Sequence, residues 1–209
     1  AQVMSTIKSM AESKFKAITL ENTALYHNVG GFSGPSVYGD LLRTDVGSTQ
    51  NQRTGDSVYG SYIKIKLWLS NKTDRPNVLY RIMVVACPPD QANTANPTNF
   101  WKGVNGNRII DFLNSDVYST VYDCTLTNHV GDMSLETASN QKESSIVHDF
   151  VIPLNRKIGY QTDVSGTPIP KYQRDCLSLV VVPYDAYGTL TTDNIASMAC
   201  SGIFVYKDF

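Results

Sequence analysis

Along most of this chain hydrophobic and polar residues alternate with the period of two that half-buried strands require. The clearest case is 58–70, where Ile63, Ile65, Leu67 and Leu69 fall on one side and Tyr62, Lys64, Lys66 and Trp68 on the other. The pattern predicts a strand whose aliphatic side faces a core. A polar, turn-forming stretch over 71–77 separates it from a second predicted strand, 78–87, which is stopped by Pro88-Pro89, so the two read as a hairpin. Residues 15–26, 117–127, 146–154, 177–183 and 201–206 are further predicted strands. Helical spacing is confined to 3–16, with Val3, Ile7 and Met10 three or four residues apart, and to a short helix predicted over 109–113. Residues 27–45 and 90–108, rich in Gly, Ser, Asn and Pro, read as long loops. About eight strands joined by long loops with little helix make an all-β sandwich or jelly roll.

Composition narrows this. With 209 residues the chain suits one domain. Its 42% hydrophobic content, 12 Tyr and 7 Phe argue against disorder, and 18 Lys+Arg against 19 Asp+Glu leave a net charge of -1. The longest apolar runs, such as 179–182, are strand length and far short of the roughly 20 residues of a membrane-spanning helix. Cys87, Cys124, Cys176 and Cys200 show no metal-ligand spacing and sit in or beside apolar stretches, which predicts buried reduced thiols and synthesis in a reducing compartment. No signal-peptide core is visible at the start.

Motifs for nucleophile elbows, Walker loops, zincins and EF-hands are missing, so no catalytic residue, metal site or cofactor is expected. Gly30 to Gly34 lacks the Lys-Ser/Thr ending of a phosphate cradle and reads as a mobile loop. His27, His129 and His148 are dispersed and read as structural. Residues 111–149 carry seven acids, among them Asp123, Asp132, Glu136 and Asp149, against one Lys, and read as a solvated face rather than a calcium site. Asn71-Lys72-Thr73 fits a glycosylation acceptor but reads as a turn. The reverse balance occupies 53–81, where Arg53, Lys64, Lys66, Lys72, Arg75 and Arg81 face only Asp56 and Asp74. Cations interleaved with Tyr62 and Trp68 on one strand face are what neutralising phosphates and stacking unpaired bases require. A subunit contact uses the same residue types. The candidate nucleic-acid-binding residues are therefore Arg53, Tyr62, Lys64, Lys66, Trp68 and Arg81.

The run Asn51-Gln52-Arg53-Thr54-Gly55-Asp56, followed by the strand from Tyr59 to Leu69, resembles the coat proteins of small circular single-stranded DNA viruses related to circoviruses and of satellite tobacco necrosis virus, in which an Arg-x-Gly-Asp turn precedes a long basic strand. The segments Tyr118-Ser119-Thr120-Val121-Tyr122-Asp123 and Asp149 to Tyr160 are similar to two later strands of that group, in the same order. The resemblance implies a single eight-stranded jelly-roll subunit, 15–209, preceded by an arm or short helix at 1–14. It further implies a homo-oligomeric icosahedral (T=1) shell of about 60 copies, enclosing single-stranded nucleic acid, expected to be DNA. A virion location, with assembly in the host nucleus or cytoplasm, a host-cell receptor and no membrane partner complete that expectation. Such proteins carry an Arg/Lys-rich arm, whereas 1–24 has only Lys8, Lys14 and Lys16 against Glu12 and Glu21, and a basic arm preceding Ala1 is expected on that ground. Two other readings compete. A lectin-like jelly roll would stack sugars on Trp68 or Trp101, and a cupin-like enzyme would need the clustered His ligands this sequence supplies poorly.

Overall fold

The computed structural model describes residues 12–30, 37–88, 100–102, 106–129, 144–161, 173–185 and 189–208. Strands β1 (Ser13–Tyr26), β2 (Val37–Gly39), β3 (Ser57–Asn71), β4 (Asn77–Cys87), β5 (Ser119–His129), β6 (Ser145–Gly159), β7 (Cys176–Tyr184) and β8 (Asn194–Asp208) follow one another, with no helix among the described residues. They form two antiparallel sheets, one in the order β1-β8-β3-β6 and the other in the order β2-β7-β4-β5. The all-β expectation holds, and seven of the strands are 9 to 15 residues long while β2 has three.

The alternation in β3 performs as it reads. Ile63, Ile65, Leu67 and Leu69 are fully buried and share one core with Phe204 of β8, Tyr80 and Ile82 of β4 and Val181 of β7. Burying each such side chain contributes about 1.5–3 kcal/mol relative to exposure.

Several expectations are corrected. β3 and β4 are no hairpin: β3 lies between β8 and β6, β4 between β7 and β5, and the 72–76 turn crosses from one sheet to the other. Asn71 pins that crossing. Its buried amide donates to the carbonyls of Pro76 and Asn128 and accepts from the Tyr80 hydroxyl at 2.7 Å, so it is no glycan acceptor. The predicted helix at 109–113 is a turn closed by the Asp111 N–H donating to the Asn107 carbonyl, and it ends in a bridge between Trp101 and Leu113. β1 starts at Ser13 and Lys14 is buried in the fold, so these two residues belong to the sandwich; of the rest of the 1–14 segment expected to be an arm or short helix, 1–11 lie outside the described residues. Gly30 is packed, since a side chain there would meet Val182 Cγ2 at 2.3 Å, whereas 31–36 lie outside the described residues.

The two sheets differ in what covers them. Above β7 and β4, Trp101, Ile109 and Leu113 pack on the core, which is why β7 is buried along eight of its nine residues. Over the outer face of β1-β8-β3-β6 the described residues place no such cover, and large apolar groups stand in solvent: Phe15 is 45% exposed, Trp68 40%, Val147 65% and Val151 54%.

Candidate nucleic-acid interface

The period of two places Tyr62, Lys64, Lys66 and Trp68 together on that uncovered face. Register lays out their neighbours row by row. Tyr62 stands between Pro153 of β6 and Val205 of β8, Lys64 between Val151 and Ile203, Lys66 between Asp149 and Ser201, and Trp68 between Val147 and Ala199. Two ammonium groups therefore project from a largely apolar surface. Among the described residues neither has a carboxylate within ion-pair distance, although Asp149 is the cross-strand partner of Lys66. Beside Trp68 the face dips into a cavity of about 280 Å³ lined by Leu20, Glu21, Lys66 and Val147.

A row that the sequence reading did not single out extends the basic character. Tyr59 lies between Lys157 of β6 and Lys207 of β8, all on the same outer side. The signal was available in the period-two pattern of β6 and β8, but neither lysine could be assigned to this face until those strands were known to flank β3.

Arg53 and Arg81 are elsewhere, and both are committed. Arg53 is 2% exposed: its Nη1 donates to the Gly55 carbonyl, its Nε to the Thr44 carbonyl at 3.4 Å, its guanidinium lies 3.6 Å from Asp56 and it stacks 4.3 Å from the Tyr160 ring centroid. The Arg-x-Gly-Asp run is thus a turn that satisfies itself. Tyr160, whose hydroxyl donates to the Leu42 carbonyl at 2.8 Å, ties that turn to the end of β6. Arg81 grips Asp123 in a bidentate pair at 3.1 and 2.7 Å on the other sheet, and its Nη1 donates to the carbonyls of Arg108, Ile109 and Asp111. For either guanidinium to turn to a phosphate, it would have to give up these hydrogen bonds to buried or partly buried carbonyls.

Other candidates resolve into structure. Trp101 packs edge-on against Phe100 at 4.8 Å, with Arg81 and Arg108 over its ring. Buried His27 accepts through Nδ1 from the Asp185 N–H at 3.1 Å, and burial holds its pKa below the ordinary 6.5. His148 Nε2 meets the Tyr122 hydroxyl at 2.8 Å, joining the two sheets where Tyr122 also stacks on Phe150. The side chain of His129 lies outside the described residues, as do Asp132 and Glu136. Among the described residues no three His, Cys, Asp or Glu side chains gather as a metal site. Cys87, Cys124, Cys176 and Cys200 are free thiols, buried except for half-buried Cys124.

No family model matches the chain, and no curated protein matches it closely enough to stand as a relative.

Proposed function

We propose that this chain is a jelly-roll coat subunit that assembles into a closed shell around single-stranded nucleic acid. The observation that carries the reading is the strand order. β1 pairs with β8, β2 with β7, β3 with β6 and β4 with β5, four nested antiparallel pairs divided between two sheets. A doubled ribbon rolled in this way supports reading the sandwich as an eight-stranded jelly roll, an architecture used by viral capsid and lectin domains. The resemblance of 51–69, 118–123 and 149–160 to coat proteins favours the capsid member of that pair. The uncovered face fits the same reading, because solvent-facing apolar groups on this scale mark sites that are covered in use.

In this reading the mechanism is geometric. The sandwich serves as a scaffold, heterologous contacts between copies close under rotational symmetry, and the lysines of the uncovered face offset phosphates. Electron microscopy and light scattering of the purified protein test it. About 60 subunits of 23.1 kDa form a particle of about 1.4 MDa. A stable monomer across assembly conditions rejects the proposal. The cavity beside Trp68 favours a second reading, a sugar-binding module in which the indole stacks on a pyranose; a monomer that binds glycans and loses them in Trp68→Ala would establish it.

A further inference from the structure

A second cavity, away from the lysines of β3, lies where edge strand β6 ends. It has a volume of about 350 Å³ and is lined by Arg156, Lys157, Gly159, Gln173, Arg174 and Asp175. β6 is the last strand of its sheet, so Arg156 and Lys157, which point to opposite faces, both reach the space around its edge. The 173–175 segment closes the other wall. The Gln173 N–H donates to the Gly159 carbonyl at 2.9 Å, and Gln173 Nε2 donates to the Tyr160 carbonyl at 3.1 Å. Gly159 permits this approach, since a Cβ there would stand 2.4 Å from Gln173 Oε1.

Charge in this cavity is unbalanced. Three cations meet one carboxylate, and Asp175 is already engaged by Arg156 Nη1 at 2.9 Å. That pair fixes the Arg156 guanidinium at the wall while leaving it further N–H donors. Lys157 and Arg174 are exposed, and among the described residues neither has an ion-pair partner. A guanidinium fork held in place, two exposed cations and, among the described lining residues, no further acid suit a compact, multiply charged oxyanion.

We propose that this cavity binds one phosphate group per subunit, through Arg156, Lys157 and Arg174. Two sources share that chemistry, inorganic phosphate and a backbone phosphate of single-stranded nucleic acid; only the second rests on the reading of the chain as a genome-enclosing subunit. Equilibrium dialysis of the full chain against inorganic phosphate provides the first test, with Lys157→Ala/Arg174→Ala compared with Lys72→Ala/Lys102→Ala, two exposed lysines outside both candidate surfaces. Both pairs are exposed, and matching melting curves with the unaltered chain confirm that each variant is folded. The expected result is saturable binding near one phosphate per subunit, weakened about tenfold or more in the first variant and unchanged in the second. Equal binding in Lys157→Ala/Arg174→Ala, or equal weakening in both variants, overturns the site. The second arm adds a thymidine decamer. Competition with phosphate that is lost in Lys157→Ala/Arg174→Ala assigns the site to nucleic-acid backbone, whereas phosphate binding undisturbed by the decamer rules that source out and leaves the free ion. Particle formation, followed separately, tells failure of this site from failure of the assembly reading.

Discussion

Lys14 Nζ lies 2.9 Å from Asp208 Oδ2, with both side chains buried, so the first strand of the fold is locked to the end of the last. The ammonium also donates to the Gln52 carbonyl, and Asp208 Oδ2 accepts from the Thr54 N–H at 2.7 Å. Burial pushes the Asp208 carboxyl upward, but the hydrogen bonds from Lys14 and Thr54 outweigh it and hold its pKa below 3.8. A carboxyl lowered in the folded state contributes stability that is complete above its unfolded value and is lost as pH falls through the folded one. Lys14→Met should therefore cost about 3–5 kcal/mol at neutral pH, where it strands a buried charge. Urea midpoints should show the gap to the unaltered chain narrowing in acid; a gap equal at neutral and strongly acidic pH would mean the pair contributes nothing.

Asp40 follows the opposite sign. It is buried at φ 84°, and among the described residues neither carboxylate oxygen has a hydrogen-bond partner. Burial raises its pKa to about 7, with Arg43 opposing and Asp45 reinforcing the shift. The folded state holds a proton that the unfolded chain releases, so stability is full below the ordinary 3.8 and drains as pH rises towards 7. Asp40→Asn, which keeps the neutral shape and tolerates a left-handed backbone, should raise the melting temperature more at pH 8 than at pH 5. A shift independent of pH would show that Asp40 is not protonated in the fold.

On β3 the two faces separate by substitution. Leu67→Ala should lower stability by roughly 2–5 kcal/mol, the range for truncating a buried leucine, while Lys66→Ala one residue away should leave the melting temperature nearly unchanged. Matching losses in calorimetry would contradict the inward and outward assignment.

The thiols give a counting experiment. Burial raises the Cys200 pKa to about 11, and a hydrogen bond with Cys87, then burial, raises that of Cys176. Half-buried Cys124 should label first in native protein and the other three slowly, with four thiols found in denaturant without reductant. A count of two would mean that Cys87 and Cys176, cross-strand partners on β4 and β7, have been oxidised to a disulfide.

For the uncovered face the measurement is salt. If Lys64 and Lys66 neutralise phosphates of a bound single strand, replacing both with Ala should flatten the log–log salt dependence by between about one and two units, at about 0.7 per phosphate. An unchanged slope would place the contacts elsewhere, with Lys157 and Lys207 the next pair to alter.

What could be read in the sequence follows from locality. The alternation of Ile63 to Leu69 is a property of consecutive residues, and it gave both the buried face and the exposed quartet. Whether Arg53 points to solvent depends on Thr44, Gly55 and Tyr160, and the last of these is more than a hundred residues away, so its charge alone suggested a ligand contact where the fold buries it among these partners. The 71–77 turn misled for a similar reason. Turn chemistry shows that the chain reverses, but only the flanking partners of β3 and β4 decide whether it reverses within one sheet or crosses to another. β2 escaped notice because three residues are too few to show a period.

Ser13 lies opposite Lys207, and the other strand pairs nest inside that one, which sets an order on how the chain can find its fold. Joining β4 to β5 first brings β3 near β6, and each closure shortens the loop that the next must span. The outermost pair cannot form until almost all of the described chain has been synthesised. Until then β1 carries Ile18 and Leu25 without a neighbouring strand, an interval in which another copy of the same segment competes for its edge. The yield of properly closed molecules is therefore governed by how soon β8 arrives, and slower synthesis or crowding of nascent chains should divert material into aggregates joined through β1.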